Sequence, residues 1–146
     1  MRKRHTLIEN IQPEPHTYLV TIGTDMGQFT GLSKCREEDW GYESQYFGYE
    51  LAEIKAEIDY ARAKRKFYEA QMSALTQFWR EMSQTRTYDM DAYWVKKMRA
   101  RVDATEELRA YWANQVQSLK EAYHINIVTF DTVNAKRKKS EEYNND

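Results

Sequence analysis

The side chains with chemistry to offer are few and widely spread. Cys35 is the single cysteine, so it cannot close an internal disulfide, and it would serve as a nucleophile only with a basic partner brought to it by the fold. A thiol packed among strand residues is the plainer reading. His5, His16 and His124 stand far apart, no Cys/His pair has metal-ligand spacing, and there is no Gly-rich phosphate loop, HExxH or GxSxG. Glu37-Glu38-Asp39 offers carboxylates to a cation, but without a loop of alternating oxygen ligands it reads as turn and helix-start chemistry. The expectation is a non-enzymatic protein with no catalytic residue, cofactor, metal or small-molecule ligand.

Charge speaks next. The 146 residues carry 22 basic and 23 acidic side chains, so bulk charge neither demands nor excludes a polyanionic partner. Four basic clusters stand out: Arg2–Arg4, Arg62/Lys64/Arg65/Lys66, Lys96/Lys97/Arg99/Arg101 and Lys136–Lys139. They read either as a solvated, charge-mixed helix surface or as a nucleic-acid contact centred on Lys64, Arg65, Lys96 and Arg99. Aromatic residues supply the other candidate surface. Trp40, Tyr42 and Tyr46, with Phe47 and Tyr49, form a cluster that is either a small core or a partner-binding patch.

These residues must be held by long elements, because five Gly and two Pro leave few breaks. Met1–His16 holds both prolines and shows no sustained period, so it reads as an irregular basic arm. Residues 17–35 read as a β-hairpin: TYLVTI is rich in β-branched and aromatic residues, Gly23–Gly27 supplies turn chemistry, and Phe29 or Leu32 continues the apolar face of Tyr18, Val20 and Ile22. A helix is predicted from about 46 to 86, since Leu51, Ile54, Ile58, Ala61, Arg65, Tyr68, Met72, Leu75, Trp79 and Met82 recur at alternating spacings of three and four. A second, from about 90 to 124, carries Val95, Met98, Val102, Thr105, Arg109, Trp112, Val116, Leu119 and Tyr123, with Asp89 or Asp91 as its N-cap. Ile125–Phe130 is a β-branched run that reads as a third strand beside the hairpin, and Ala135–Asp146 reads as a disordered charged tail.

The fold class that follows is α+β, predominantly α: a long antiparallel helical hairpin with a small antiparallel sheet at its base. One register pairs Met82 with Val95, Trp79 with Met98, Leu75 with Val102, Ala61 with Val116 and Ile54 with Tyr123. It also sets Arg65 against Trp112 and Arg109 against Tyr68. Two helices bury only one stripe each, so Phe67, Phe78, Tyr93, Trp94, Leu108 and Tyr111 need another cover. A second copy forming a four-helix bundle, or a different protein, would provide it.

The tract GTDMGQFTGLSKCREEDWG, followed directly by a long helix, resembles small proteins of phages and prophages in Gram-positive bacteria, in which a G-x-F-x-G-x-x-x-C-x-x-x-D stretch sits between a strand and a helix. The resemblance implies a viral accessory protein acting in the host cytoplasm, and it assigns no site residues. No signal-peptide pattern and no run of about 18 apolar residues occurs, which points to a cytoplasmic protein without a membrane partner. The functional expectation is a protein-binding module, homodimeric or bound to a host nuclease or defence protein that it inhibits. The alternatives are a nucleic-acid-binding accessory protein and a structural component of a virion or assembly.

Overall fold

The computed structural model describes residues 5–85 and 92–144. Arg2–Arg4 and the N-cap candidates Asp89 and Asp91 lie outside the described residues. The elements are β1 (Thr6–Ile11), β2 (Thr17–Thr24), β3 (Gly27–Lys34), a 3-10 turn (Glu37–Tyr42), α1 (Gln45–Thr85) and α2 (Ala92–Asn144). The class is α+β with helix predominant, as the periodicity predicts. Residues 1–60 with 117–146 form one compact unit, and Ala61–Val116 form another.

In the first unit, β2 and β3 make the expected hairpin. Its turn is closed by Thr24, whose hydroxyl accepts from the Met26 amide at 3.1 Å and donates to the Gly27 carbonyl at 2.7 Å. Gly27 sits at φ +106°, a conformation that excludes most side chains. The third strand is not where the sequence put it. It is β1, paired antiparallel to β2 with a bulge between Leu7 and Glu9, so the sheet order is β1-β2-β3. Reading 1–16 as an irregular arm fails because all six residues of β1 are exposed. With no buried face there is no alternation to detect, although backbone pairing to β2 defines the strand.

Tyr18, Val20 and Ile22 are at most 1% exposed and form the sheet's buried face. Of the two candidates on β3, Phe29 turns inward against the Tyr60 ring, 5.7 Å between centroids, whereas Leu32 is exposed. The sheet lies almost backbone-to-backbone on α1: a Cβ on Gly31 would fall 1.8 Å from the Ala52 carbonyl oxygen, and one on Gly48 would enter the Tyr18 ring at 2.3 Å. Buried Ala52 and Ala56 complete this small-residue contact. Ser44 starts the helix: its carbonyl accepts the first intrahelical bond, from the Gly48 amide, and its hydroxyl accepts from the Phe47 amide, which satisfies an otherwise orphaned donor.

The strand expected at Ile125–Phe130 and the disordered tail expected from Ala135 are both wrong: α2 runs unbroken through them to Asn144. Helical spacing places Tyr123, Ile127, Phe130 and Asn134 on one side. Phe130 meets Phe47 of α1 at 5.3 Å, and Asn134 is buried. The residues that suggested a strand, Ile125, Val128 and Thr129, are on the exposed side. Packing of that inner stripe overrides β-propensity. The final turns are held by Lys138, whose ammonium lies 5.4 Å from the Tyr42 ring centroid and 3.5 Å from the buried Asp39. A hydrogen bond from Tyr42 to Glu141 adds to them. In each unit the helices run antiparallel, with Lys55 over Tyr123 in the first and Trp79 stacked on Trp94 in the second.

Candidate functional site

Among the described residues the second unit consists of α1 from Ala61 and α2 to Val116, and its two faces differ in chemistry. Helical geometry puts Lys64, Phe67, Gln71, Ala74, Phe78 and Glu81 on one side of the α1 seam. In an antiparallel pair the matching side of α2 carries Trp94, Lys97, Arg101, Ala104, Leu108 and Tyr111. Rings from the two helices meet on this face: Phe78 and Trp94 lie 6.1 Å apart. Phe67 is 53% exposed, Phe78 45% and Leu108 41%, so the aromatic surface faces solvent. On the opposite side stand Arg62, Glu69, Ser73, Thr76 and Arg80 of α1 with Arg99, Asp103 and Glu106 of α2. The pair is therefore an amphipathic slab. Of the partner-contact candidates, the structure gathers Phe67, Phe78, Trp94 and Tyr111 here, whereas Tyr93, 70% exposed, points outward from α2.

The layers Trp79 with Met98 and Leu75 with Val102 line one cleft of about 380 Å³ on the charged side of the seam, together with Val95, Thr76, Arg99 and Asp103. The cation over Trp112 is not Arg65. It is Lys64, whose ammonium lies 5.6 Å from the Trp112 centroid and 6.0 Å from that of Tyr68. Arg65 and Arg109 turn instead to carboxylates on their own helices, Glu69 at 3.6 Å and Glu106 at 2.9 Å. Such i,i+4 and i,i+3 pairs keep the guanidinium partly hydrated, which costs less than burying it across the seam.

The four basic candidates do not converge. Lys64 is half-buried against rings, and Arg65 is paired. Lys96 and Arg99 are exposed beside the opposite end of the slab, level with the α1 residues near Phe78, roughly 20 Å along the helix from Lys64.

In the first unit the aromatic cluster is chiefly structural. Trp40 stacks on His16 at 4.0 Å with planes 8° apart and donates its indole N–H to the Cys35 carbonyl at 3.2 Å. His16 in turn binds Glu43 at 2.7 Å, although its φ of +67° is uncommon for a residue with a Cβ. Tyr42 is held by Lys138 and Glu141, and Tyr46 is 70% exposed. Behind them lies a cavity of about 250 Å³ lined by residues that include Tyr18, Cys35, Glu43, Phe47 and Phe130. Burial, and then the Glu43 carboxylate, push the Tyr18 hydroxyl far above the usual phenol range. The same two causes push the Cys35 thiol up to about 11, which is the opposite of what a nucleophile needs. Asp39, central to the acidic tract, accepts from Arg36 at 2.9 Å and from Lys138, so its charge is spent within the fold.

One constellation was invisible in the sequence. His5, immediately before β1, places its Nε2 3.1 Å from Glu53 Oε1 and 3.3 Å from Glu57 Oε1, both on α1. The Glu-x-x-x-Glu spacing was its only signal, and the reading of 1–16 as a loose arm left His5 without a position. No protein-family model, curated protein or solved structure matches the chain. Function therefore has to be argued from the surfaces themselves.

Proposed function

We propose that the chain is a protein-binding module that acts as a homodimer, the aromatic face of residues 61–116 packing on the same face of a second copy. The observation that carries this reading is the order of residues along the exposed stripe of α1. Lys64, Phe67, Gln71, Ala74, Phe78 and Glu81 read almost the same in both directions. Laid antiparallel on a second copy about a two-fold axis near Met72 and Ser73, the stripe pairs Phe67 with Phe78, Gln71 with Ala74 and Lys64 with Glu81. An isologous interface requires this kind of self-complementarity: ring on ring to either side of the axis, and opposite charges at each end. The same axis falls between Ala104 and Thr105 in the antiparallel register of α2, and it brings Arg101 over Leu108 and Tyr111. The product is a four-helix bundle with the charged faces outward.

The resemblance to small phage proteins supplies a setting, in which such a dimer would occupy and inhibit a host nuclease or defence protein. The nucleic-acid reading has less support, because Lys64 and Arg65 lie roughly 20 Å along the helix from Lys96 and Arg99.

Light scattering on the purified chain tests the proposal. The expected mass is that of two chains. Lys64→Glu should give monomers of unchanged helicity, because two glutamates would then meet at each end, and adding Glu81→Lys in the same chain should restore the dimer. A wild-type chain that stays monomeric at its highest soluble concentration overturns the reading, and so does a Lys64→Glu dimer as tight as wild type.

A further inference from the structure

We infer that His5, Glu53 and Glu57 form a binding site for a first-row divalent cation of the zinc type, held between the residue that precedes β1 and one turn of α1. The ligand atoms of the three side chains all lie within 4.8 Å of one another. The closer separations, 3.1 and 3.3 Å from His5 Nε2 to the two carboxylates, match the geometry of a coordination sphere. Metal–ligand bonds of about 2.0–2.2 Å give neighbouring donors a spacing of about 3.0 Å in an octahedron and about 3.4 Å in a tetrahedron.

The three ligands are also placed with little freedom. Glu53 and Glu57 are four residues apart in a continuous helix, so they project from one face one turn apart. His5 is fixed from the other side by the pairing of Thr6 with Gly23 and Leu7 with Ile22, which runs the strand back along β2. The imidazole side chain is 7% exposed and the two carboxylate side chains 18% and 17%, so water does little to separate the charges.

The donor set selects the class of ion. One nitrogen and two carboxylate oxygens suit Zn²⁺ and its neighbours, whereas Mg²⁺ and Ca²⁺ prefer all-oxygen shells. Three protein donors leave at least one position for water or an incoming ligand. The ion would fasten an otherwise exposed edge strand to the helix. This site is separate from the aromatic slab, so it stands whether or not the chain dimerises.

The test is calorimetric titration of the untagged, chelator-treated full chain with ZnCl₂, MnCl₂ and MgCl₂, paired with thermal unfolding. Expected are one Zn²⁺ per chain, weaker Mn²⁺ binding, no Mg²⁺ binding, and a Tm that climbs with the logarithm of free Zn²⁺. Glu53→Gln/Glu57→Gln should abolish binding while keeping the helical signal, and His5→Ala should do the same. Cys35→Ser should bind as wild type does, which separates this site from adventitious thiol coordination. Absence of Zn²⁺ binding at millimolar concentration, or binding that survives in the double glutamine variant, overturns the proposal.

Discussion

At the scale of single residues, the corner around Tyr18, Cys35 and Glu43 is built to keep protons on. Because the folded-state pKa of Cys35 is raised to about 11, the native state binds more protons than the unfolded chain once pH passes the ordinary thiol value. Stability should hold below about pH 8 and fall as pH climbs from there toward 11. The Tyr18 hydroxyl, raised by burial and by Glu43, extends the loss to higher pH. Alkylation by iodoacetamide at pH 8 should be about a hundredfold slower than for a free cysteine, given two units of difference in pKa. Glu43→Gln should speed it, since the carboxylate opposes the thiolate.

Gly31 makes a second point at this scale. A methyl group there meets the Ala52 carbonyl oxygen at 1.8 Å, with backbone on both sides and nothing soft to yield. Gly31→Ala should cost about 3 kcal/mol or more of stability, measured by urea unfolding. In the sequence nothing sets this glycine apart. Its reason is a close approach between a strand and a helix 21 positions later, and no local pattern reports such an approach.

At the scale of elements, helix periodicity carried most of what could be read. The stripe from Leu51 to Met82 and its partner on α2 were legible because an amphipathic seam repeats every three or four residues whatever lies beyond it. The same rule extends to Ile127, Phe130 and Asn134, but there it competed with a β-branched run, and the competing signal concerned residues that point to solvent. Val128→Pro separates the two readings. In a helix interior it removes a hydrogen bond and clashes with the preceding turn, costing about 3 kcal/mol or more and visible as lost helical ellipticity. An exposed edge strand would tolerate it far better. The cation site was illegible for a related reason: β1 has no buried face, so the position of His5 depends on backbone pairing that side-chain patterning does not encode. The aromatic slab was half legible. Its unburied residues were evident, but the side of the hairpin they share required the register.

At the scale of the whole molecule, the proposed dimer ties unfolding to association. Tm should rise with protein concentration in the wild type, and Phe78→Asp should remove that dependence by placing a charge where ring meets ring across the interface. The first unit has a different kind of consequence, because it is discontinuous: residues 1–60 are completed only by 117–146. Its closing contacts, Arg36 to Asp131 at 2.7 Å and Lys138 to Asp39 at 3.5 Å, join positions 95 and 99 apart. A chain emerging from the ribosome can pair its strands and start α1 early, yet the wall of Phe47 and Leu51 waits for residues 117–146. High separation of this kind slows the final docking step and lengthens the time for which apolar surface stands open. Synthesis that stalls within residues 61–116 would therefore leave a half-built unit with an adhesive flank, so the hazard depends on when translation pauses as much as on final stability.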